Sequence, residues 1–263
     1  VMEPTSAAFL RFLFASLFLA GLTRAVTGRL PRLAPRQAPG VLFLGGTGVF
    51  LYSIFFFTGL KTVTAGRAAL IVACIPVCIS VVSALLWREP FGPVRILGTL
   101  TSLVGVAVVV ADGNPLTLLT GGAGRGDVFI LGCVASWTAY SLGGKQVMRG
   151  MEPLSAVTWS CFFGMLLLLP FALADGLVAQ ALDARWLDWG CISYLGVLAT
   201  GLAYYWYYLA IQRIGASRAG IFINTVPIFA IVMGWLLLGE VVHLTLLLGG
   251  AMVLTGVWLT NRP

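Results

Sequence analysis

The sequence predicts an all-α integral membrane protein built from two inverted five-helix repeats. Of its 263 residues, 59% are hydrophobic and only 10% are charged, and the mean hydropathy is +0.99. A soluble domain carries about 25% charged residues, so this chain cannot cover a water-facing surface. The composition also excludes an intrinsically disordered chain, which needs low hydrophobicity and high charge.

Nine apolar stretches are long enough to cross a bilayer, which takes about 20 helical residues. They run near 5–23, 38–58, 65–87, 94–112, 126–148, 153–174, 187–211, 217–238 and 243–260. Segments containing Gly and Pro, such as Gly113-Asn114-Pro115, separate them. The sequence therefore predicts nine membrane-spanning helices.

The distribution of Lys and Arg predicts the orientation. One side of the predicted bundle holds Arg24, Arg29, Arg32, Arg36, Arg88, Arg95, Lys145, Arg149, Arg213, Arg218 and Arg262, and the other holds Lys61, Arg67, Arg125 and Arg185. Because cytoplasmic loops collect Lys and Arg, the first side is predicted to be cytoplasmic, together with the C terminus. This explains the net charge of +7 without a nucleic-acid partner.

An internal repeat appears when the chain is shifted along itself. At a shift of 151 residues the pairs are Arg67 with Arg218, Pro76 with Pro227, Glu89 with Glu240, Gly98 with Gly249, and Gly105 with Gly256. At a shift of 149, Glu3-Pro4 pairs with Glu152-Pro153. Only the second copy has a helix, 126–148, ahead of this dipeptide. We therefore expect ten helices in the full chain, nine of them here, with the first helix missing.

The repeats are predicted to cover 1–113 and 126–261. Since five helices per repeat is an odd number, the two repeats would insert with opposite orientations. Inverted repeats of this kind are typical of alternating-access transporters, in which a pseudo-symmetric fold has two interconverting packings.

The repeated motifs carry a family resemblance. They are Glu3-Pro4 followed by Phe9-Leu10-Arg11-Phe12, then Ala65-Gly66-Arg67-Ala68-Ala69-Leu70 with Pro76 and Glu89, and Ala216-Ser217-Arg218-Ala219-Gly220 with Pro227 and Glu240. With them the sequence resembles the drug/metabolite transporter superfamily, EamA type, and its aromatic content is similar to that of YddG-type aromatic amino acid exporters. The resemblance implies a bacterial inner-membrane exporter with a central cavity.

Aromatic and cationic residues are the candidates for lining that cavity. Trp137, Tyr140 and Lys145 share one face of the predicted helix 126–148, and an aromatic face ending in a cation suits an amphipathic ligand with a carboxylate. The alternative for Lys145 is extension to the membrane surface. The other aromatic candidates are Tyr52, Phe56, Tyr204 and Tyr205. Five consecutive aromatics at 204–208 point in every direction, so some of them must be interfacial.

Three further groups of residues are functional candidates. Arg11 lies well inside a predicted helix, where an ionisable group is a functional candidate by default, although it could instead pair with backbone carbonyls. Asn224 and Thr225 are polar at mid-helix depth and either line the cavity or join helices. Pro76 and Pro227 interrupt helices at equivalent positions and are either hinges or static kinks.

Two ion pairs are hypothesised as gates. Arg67 and Glu240 fall on the predicted outer side, and Arg218 and Glu89 on the inner side. Each pair could meet across the pseudo-twofold axis and close one gate. The alternative is that all four are separate anchors at the membrane interface.

The sequence lacks the motifs of several other protein classes. It has no phosphate-binding loop of the Gly-x-x-x-x-Gly-Lys-Ser/Thr type and only one histidine, His243, so neither ATP, a metal nor another cofactor is expected. No carboxylate lies at mid-membrane depth, which favours passive or weakly coupled transport. The expected partners are a small-molecule substrate and the lipid bilayer, without nucleic acid, and a monomer is favoured.

The sequence therefore predicts export of small metabolites, including aromatic amino acids, by alternating access through a central cavity. Another solute class (a drug, nucleotide or sugar) is the first alternative. An intramembrane enzyme would need a nucleophile and base that the chain scarcely offers. In an assembly factor, Gly98, Ser102 and Gly105 would associate with another helix, although packing within the chain explains these residues equally well.

Overall fold

The structure of the chain is a computed structural model that describes residues 2–29, 32–63, 65–87, 92–110, 124–226, 229, 236 and 244–261. Within these ranges it is helical, with no strand, as the fold class predicted. The helices are α1 (Pro4–Thr27), α2 (Ala38–Leu44), α3 (Tyr52–Leu60), α4 (Ala65–Val72), α5 (Ile75–Trp87), α6 (Pro93–Val110), α7 (Arg125–Val147), α8 (Pro153–Ala174), α9 (Leu177–Asp183), α10 (Trp186–Gly196), α11 (Ala203–Ile214), α12 (Ala216–Gly220) and α13 (Leu244–Asn261).

Among the described residues, three continuous helical stretches are long and apolar enough to cross a membrane: Pro4–Thr27, Pro35–Leu60 and Pro153–Ala174. Shorter apolar helices lie at Ile75–Trp87, Pro93–Val108 and Leu247–Thr260. Their positions agree with the apolar stretches of the sequence. The count of ten helices in a full chain stays a prediction.

Helices α1 and α8 begin in the same way. Glu3 and Glu152 have extended backbones, with φ of −63° and −66°, and Pro4 and Pro153 take the first helical position. Proline suits this position because its missing N–H would have no partner in the first turn. The motif shared at a shift of 149 residues is thus also a shared local structure.

Two helical stretches contain a π-helical segment, which the sequence did not predict. The first segment is Gly45–Leu51, between α2 and α3, and the second is Val197–Leu202, between α10 and α11. The amide of Tyr52 bonds the carbonyl five residues earlier, at Thr47. Such segments hold an extra residue in a turn and often occur at functional sites. Both contain a buried Thr-Gly pair, Thr47-Gly48 and Thr200-Gly201.

The predicted helix 65–87 is divided in two. Helix α4 ends at Val72, Ala73 and Cys74 form a turn, and α5 begins at Ile75. Pro76 explains the break, because its ring lacks an N–H and clashes with the carbonyl of Val72. Pro76 therefore follows a helix break instead of kinking a continuous helix. Its partner Pro227 lies outside the described residues.

The chain divides into two compact units, each drawn from both halves of the sequence. Unit 1 comprises residues 1–57 and 139–215, and unit 2 comprises 58–138 and 216–263. Residues belong to one unit because they contact one another, whichever repeat they come from. The repeat boundaries at 1–113 and 126–261 stay a prediction.

In unit 1, each π-helical segment packs against a helix from the other half of the chain. The first segment contacts α8, and the second contacts α1. The approach is close: a Cβ built on Gly45 would lie 2.7 Å from the carbonyl oxygen of Ser160, and one built on Gly196, the residue just before the second segment, would lie 2.7 Å from that of Arg11. Only glycine allows such contact between backbones.

In unit 2, α6 and α13 pack through reciprocal glycines. A Cβ built on Gly98 would lie 2.8 Å from the Gly256 carbonyl oxygen, and one built on Gly105 would lie 2.7 Å from that of Gly249. Gly98 is the repeat counterpart of Gly249, and Gly105 that of Gly256. Each glycine thus meets the counterpart of the other, as in a contact around a twofold axis. Packing within the chain therefore uses Gly98 and Gly105, which the assembly-factor alternative had assigned to another helix.

Candidate functional site

Three tyrosines meet inside unit 1 and are called here the tyrosine cluster: Tyr140 of α7 and Tyr204 and Tyr208 of α11. The ring centroid of Tyr140 lies 4.9 Å from that of Tyr208 and 5.8 Å from that of Tyr204. Tyr140 and Tyr208 are completely buried. Buried hydroxyl groups need hydrogen-bond partners, and the Tyr208 hydroxyl donates to the Tyr140 carbonyl at 3.2 Å.

Two glycines make room for the tyrosine cluster. A Cβ built on Gly48, in the first π-helical segment, would lie 2.2 Å from Cδ2 of Tyr140. One built on Gly144 would lie 2.5 Å from Cζ of Tyr208. The rings thus rest directly on helix backbones. In addition, the Tyr204 hydroxyl reaches the Gly48 carbonyl at 3.5 Å, the upper limit for a hydrogen bond.

Arg11 of α1 lies beside the tyrosine cluster. Its Cζ is 4.7 Å from the ring centroid of Phe12, which is fully buried and meets Tyr204 edge to face at 6.1 Å. The guanidinium is close enough to the Cys161 thiol and the Tyr204 hydroxyl to interact electrostatically with both. Among the described residues, its Nε is buried without a hydrogen-bond partner.

The structure therefore brings together four of the predicted site residues: Arg11, Tyr52, Tyr140 and Tyr204, since Tyr52 as well as Arg11 lies within electrostatic range of the Tyr204 hydroxyl. Tyr52 and Phe56 stack on each other, with centroids 5.9 Å apart and an interplanar angle of 10°. Tyr205 is half-buried on the helix that carries Tyr204.

The remaining candidates on α7 are arranged less simply. Lys145 is half-buried, two residues before the helix ends at Val147. Trp137 lies on the same helix but belongs to unit 2. Sequence reasoning did not select Tyr208 from the aromatics at 204–208 and missed Gly48; Gly144 falls on the predicted face of Trp137, Tyr140 and Lys145, but no role was assigned to it. The only available signal was glycine within a helix, which is common in membranes.

Asn224 and Thr225 lie in a 3-10 helix of unit 2, Ile221–Thr225. The Asn224 side chain is buried and donates to the Ser102 hydroxyl on α6 at 3.0 Å. The Thr225 hydroxyl donates to the Phe222 carbonyl at 2.6 Å. The Asn224 bond is of the kind that joins helices, and a cavity role for these two residues stays a prediction.

The gate pairs stay predictions as well. Glu89 and Glu240 lie outside the described residues, and so does the hinge candidate Pro227. Arg67 belongs to α4, but its side chain is not among those described. Arg218 is half-buried on α12.

A separate surface cavity of about 500 Å³ lies in unit 1. Its lining includes Met2, Gln180, Asp183, Arg185, Asp188 and Cys191, and no member of the tyrosine cluster. Arg185 and Asp188 form an exposed ion pair at 3.6 Å. Exposed pairs of this kind contribute little to stability, and this cavity presents no buried charge to a ligand.

Comparison with known proteins gives consistent relatives. The chain is 30% identical over 257 residues to the uncharacterized transporter YdfC of Bacillus subtilis, covering 98% of this chain and 81% of the relative. It is 28% identical to the uncharacterized transporter YetK of the same organism, covering 95% and 76%. It is also 26% identical over 254 residues to a "Probable terminal-alkyne amino-acid exporter" of Streptantibioticus cattleyicolor, covering 96% and 82%.

One solved crystal structure superimposes with a TM-score of 0.76 at 18% identity, covering 99% of this chain and 88% of the other. At this identity the likeness concerns the fold alone. The model of the EamA-like transporter family matches residues 1–111 and 124–262. These matches cover nearly the whole sequence, and they agree with the apolar helices and with the repeated motifs. The chain is therefore a multi-pass membrane transporter, not an enzyme, and belongs to the EamA-like transporter family of the drug/metabolite transporter superfamily.

Proposed function

We propose that this transporter exports amino acids, including aromatic ones, from the bacterial cytoplasm across the inner membrane. The observation that carries the proposal is the tyrosine cluster. Its rings are tilted against one another, and together with their hydroxyls they offer both an apolar surface and hydrogen bonds, which is the combination found in sites for amphipathic small molecules. One relative named for amino-acid export supports the same solute class.

Alternating access between two inverted repeats is the proposed mechanism. The reciprocal contacts of Gly98 with Gly256 and of Gly105 with Gly249 support the twofold relation. The packing of each π-helical segment in unit 1 against a helix from the other half of the chain supports this relation further. In a fold with such a relation, one packing opens the site to one side of the membrane, and the packing related to it by the twofold axis opens it to the other. The C terminus is proposed to be cytoplasmic, on the side rich in Lys and Arg.

Counterflow in proteoliposomes tests the proposal. Vesicles carrying the purified full-length protein are loaded with unlabelled phenylalanine and exposed to labelled phenylalanine, with aromatic, aliphatic and charged amino acids as competitors. We expect uptake that several neutral amino acids compete for and that survives collapse of a proton gradient. Uptake of nucleotides, sugars or drugs with no uptake of any amino acid would contradict the proposed substrate class.

A matched pair of variants connects transport to the tyrosine cluster. Tyr204→Ala removes a ring that contacts both Phe12 and Tyr140. Tyr194→Ala removes a ring that is 61% exposed on α10 of the same unit. We expect the first variant to lose counterflow and the second to keep it. Equal counterflow by both variants would exclude the cluster from the transport site.

A further inference from the structure

Arg11 is a charge whose surroundings are incomplete. Arg11 lies seven residues after Pro4, the first residue of α1, which places it about 10 Å along the helix at 1.5 Å per residue. A cation at such depth costs several kcal/mol unless it is paired. Among the described residues, no carboxylate forms an ion pair with it, and its neighbours are a ring, a thiol and a hydroxyl.

These neighbours cannot satisfy a guanidinium. The group carries five N–H donors in a planar fork and has no acceptor. The face of Phe12 attracts the charge but accepts no conventional hydrogen bond, and the Nε remains without a partner among the described residues. An incoming anion would therefore relieve both the electrostatic and the hydrogen-bonding deficit of this group.

The geometry indicates which anion fits. A guanidinium fork matches the two oxygens of a carboxylate in a bidentate arrangement. A single positive charge balances a single negative one, which favours a monocarboxylate over a multiply charged phosphate. The apolar rings of Phe12 and Tyr204 beside the charge favour an organic anion with an apolar or aromatic side chain.

Lys145 is the other cation that could meet a carboxylate, and its position differs. It lies near the end of α7, where a long side chain can extend to the membrane surface. Arg11, by contrast, lies against the fully buried Phe12 ring, which meets Tyr204 of the tyrosine cluster edge to face.

We propose that Arg11 binds the carboxylate of the transported solute, so that the carrier selects organic monocarboxylates over the corresponding amides and amines. This inference rests on the proposed function, because it assigns one part of the same site. It also orients the solute: the carboxylate lies at α1 and the apolar side chain lies toward the tyrosine cluster.

The test compares three ligands that differ in one group: phenylalanine, phenylalaninamide and phenethylamine. Binding to the purified full-length protein is measured by ligand-induced thermal stabilisation, independently of transport. Wild-type protein should bind phenylalanine at least tenfold more tightly than the amide or the amine. Arg11→Gln should weaken phenylalanine binding by about 30-fold or more, as expected for loss of a desolvated charge pair, and leave amide binding unchanged.

Two variants control for charge and folding. Arg24→Gln removes the same charge from an exposed position at the end of α1 and should keep wild-type selectivity. Arg11→Lys keeps the charge without the fork and should keep the preference at intermediate affinity. If Arg11→Gln does not fold, competition in the wild-type protein decides: 3-phenylpropionate should displace phenylalanine, and phenethylamine should not.

The outcomes separate this inference from the proposed function. A preference for phenylalanine over its amide that survives in folded Arg11→Gln would overturn the inference, and so would displacement by phenethylamine but not by 3-phenylpropionate. Arg11-dependent carboxylate binding without counterflow of any amino acid would uphold the anchor and contradict amino-acid export.

Discussion

Adding a single methyl group at Gly48 should displace the ring of Tyr140, which is completely buried in the tyrosine cluster. In Gly48→Ala the new Cβ would lie 2.2 Å from Cδ2 and 2.4 Å from Cγ of Tyr140. Carbon atoms pack best about 3.5–4.0 Å apart, so the ring must retreat by about 1.3 Å or the π-helical segment must move away. The Tyr140 ring has little room to move, because it is completely buried and the ring centroid of Tyr208 lies 4.9 Å from its own.

Overpacking of this kind costs about 1–3 kcal/mol. For a chain of this size that corresponds to a fall in thermal midpoint of about 2–12 °C, at about 2–4 °C per kcal/mol. Gly46→Ala is the matched control, because it adds the same methyl group to the same segment with no atom within 4 Å. It should leave the midpoint unchanged or raise it slightly, since alanine is the better helix former.

The assay is thermal unfolding of both variants in detergent, together with phenylalanine counterflow. Gly48→Ala should lower both the midpoint and the rate of counterflow, whereas Gly46→Ala should lower neither. If the two variants have the same midpoint, Tyr140 does not pack on the backbone at Gly48 and the described geometry of the cluster is wrong.

Two further predictions concern unit 2. Gly256→Ala places a Cβ 2.5 Å from the Gly98 carbonyl oxygen, a backbone atom that cannot move alone, so the free energy of unfolding in detergent should fall by about 1–3 kcal/mol. The control Gly21→Ala, which has no atom within 4 Å of the new Cβ, should not lower the free energy of unfolding. An equal loss in both variants would refute close packing of α6 and α13. Asn224→Leu and Ser102→Ala each remove one partner of an interhelical hydrogen bond, and a double-mutant cycle should give a coupling of about 0.6–1.7 kcal/mol. Additive effects would show that the bond contributes nothing.

Much of the fold is predictable because membrane insertion imposes a simple rule on composition. A helix must be apolar for about 20 residues, so the apolar stretches and the loops between them are visible in the sequence. The starts of α1 and α8 were also visible, since Glu3-Pro4 and Glu152-Pro153 are repeated motifs. Arg11 was visible as well, because it is the one cation well inside an apolar stretch of the sequence.

The π-helical segments and the composition of the tyrosine cluster were not predictable in this way. The five aromatics at 204–208 cover every direction around a helix, so the inward-facing residues depend on how α11 is rotated. That rotation depends in turn on the preceding π-helical segment, which packs against α1. Tyr208 was missed for this reason. Gly48 was missed because its role is to make room for Tyr140, a residue far away in the sequence.

The extra residue held in the second π-helical segment makes α11 sensitive to a change in helix type. If Val197–Leu202 returned to α-helical geometry, every residue after it would rotate by about 100°, the angle of one α-helical residue. The rotation moves each residue of α11 to the side of the helix on which the next residue along the chain now lies. Ala203 would then stand where Tyr204 stands and Tyr207 where Tyr208 stands, so one side of the tyrosine cluster would exchange an aromatic ring for a methyl group. A change of one hydrogen-bond step in the preceding turn would thereby alter the volume next to Arg11 without unfolding any helix.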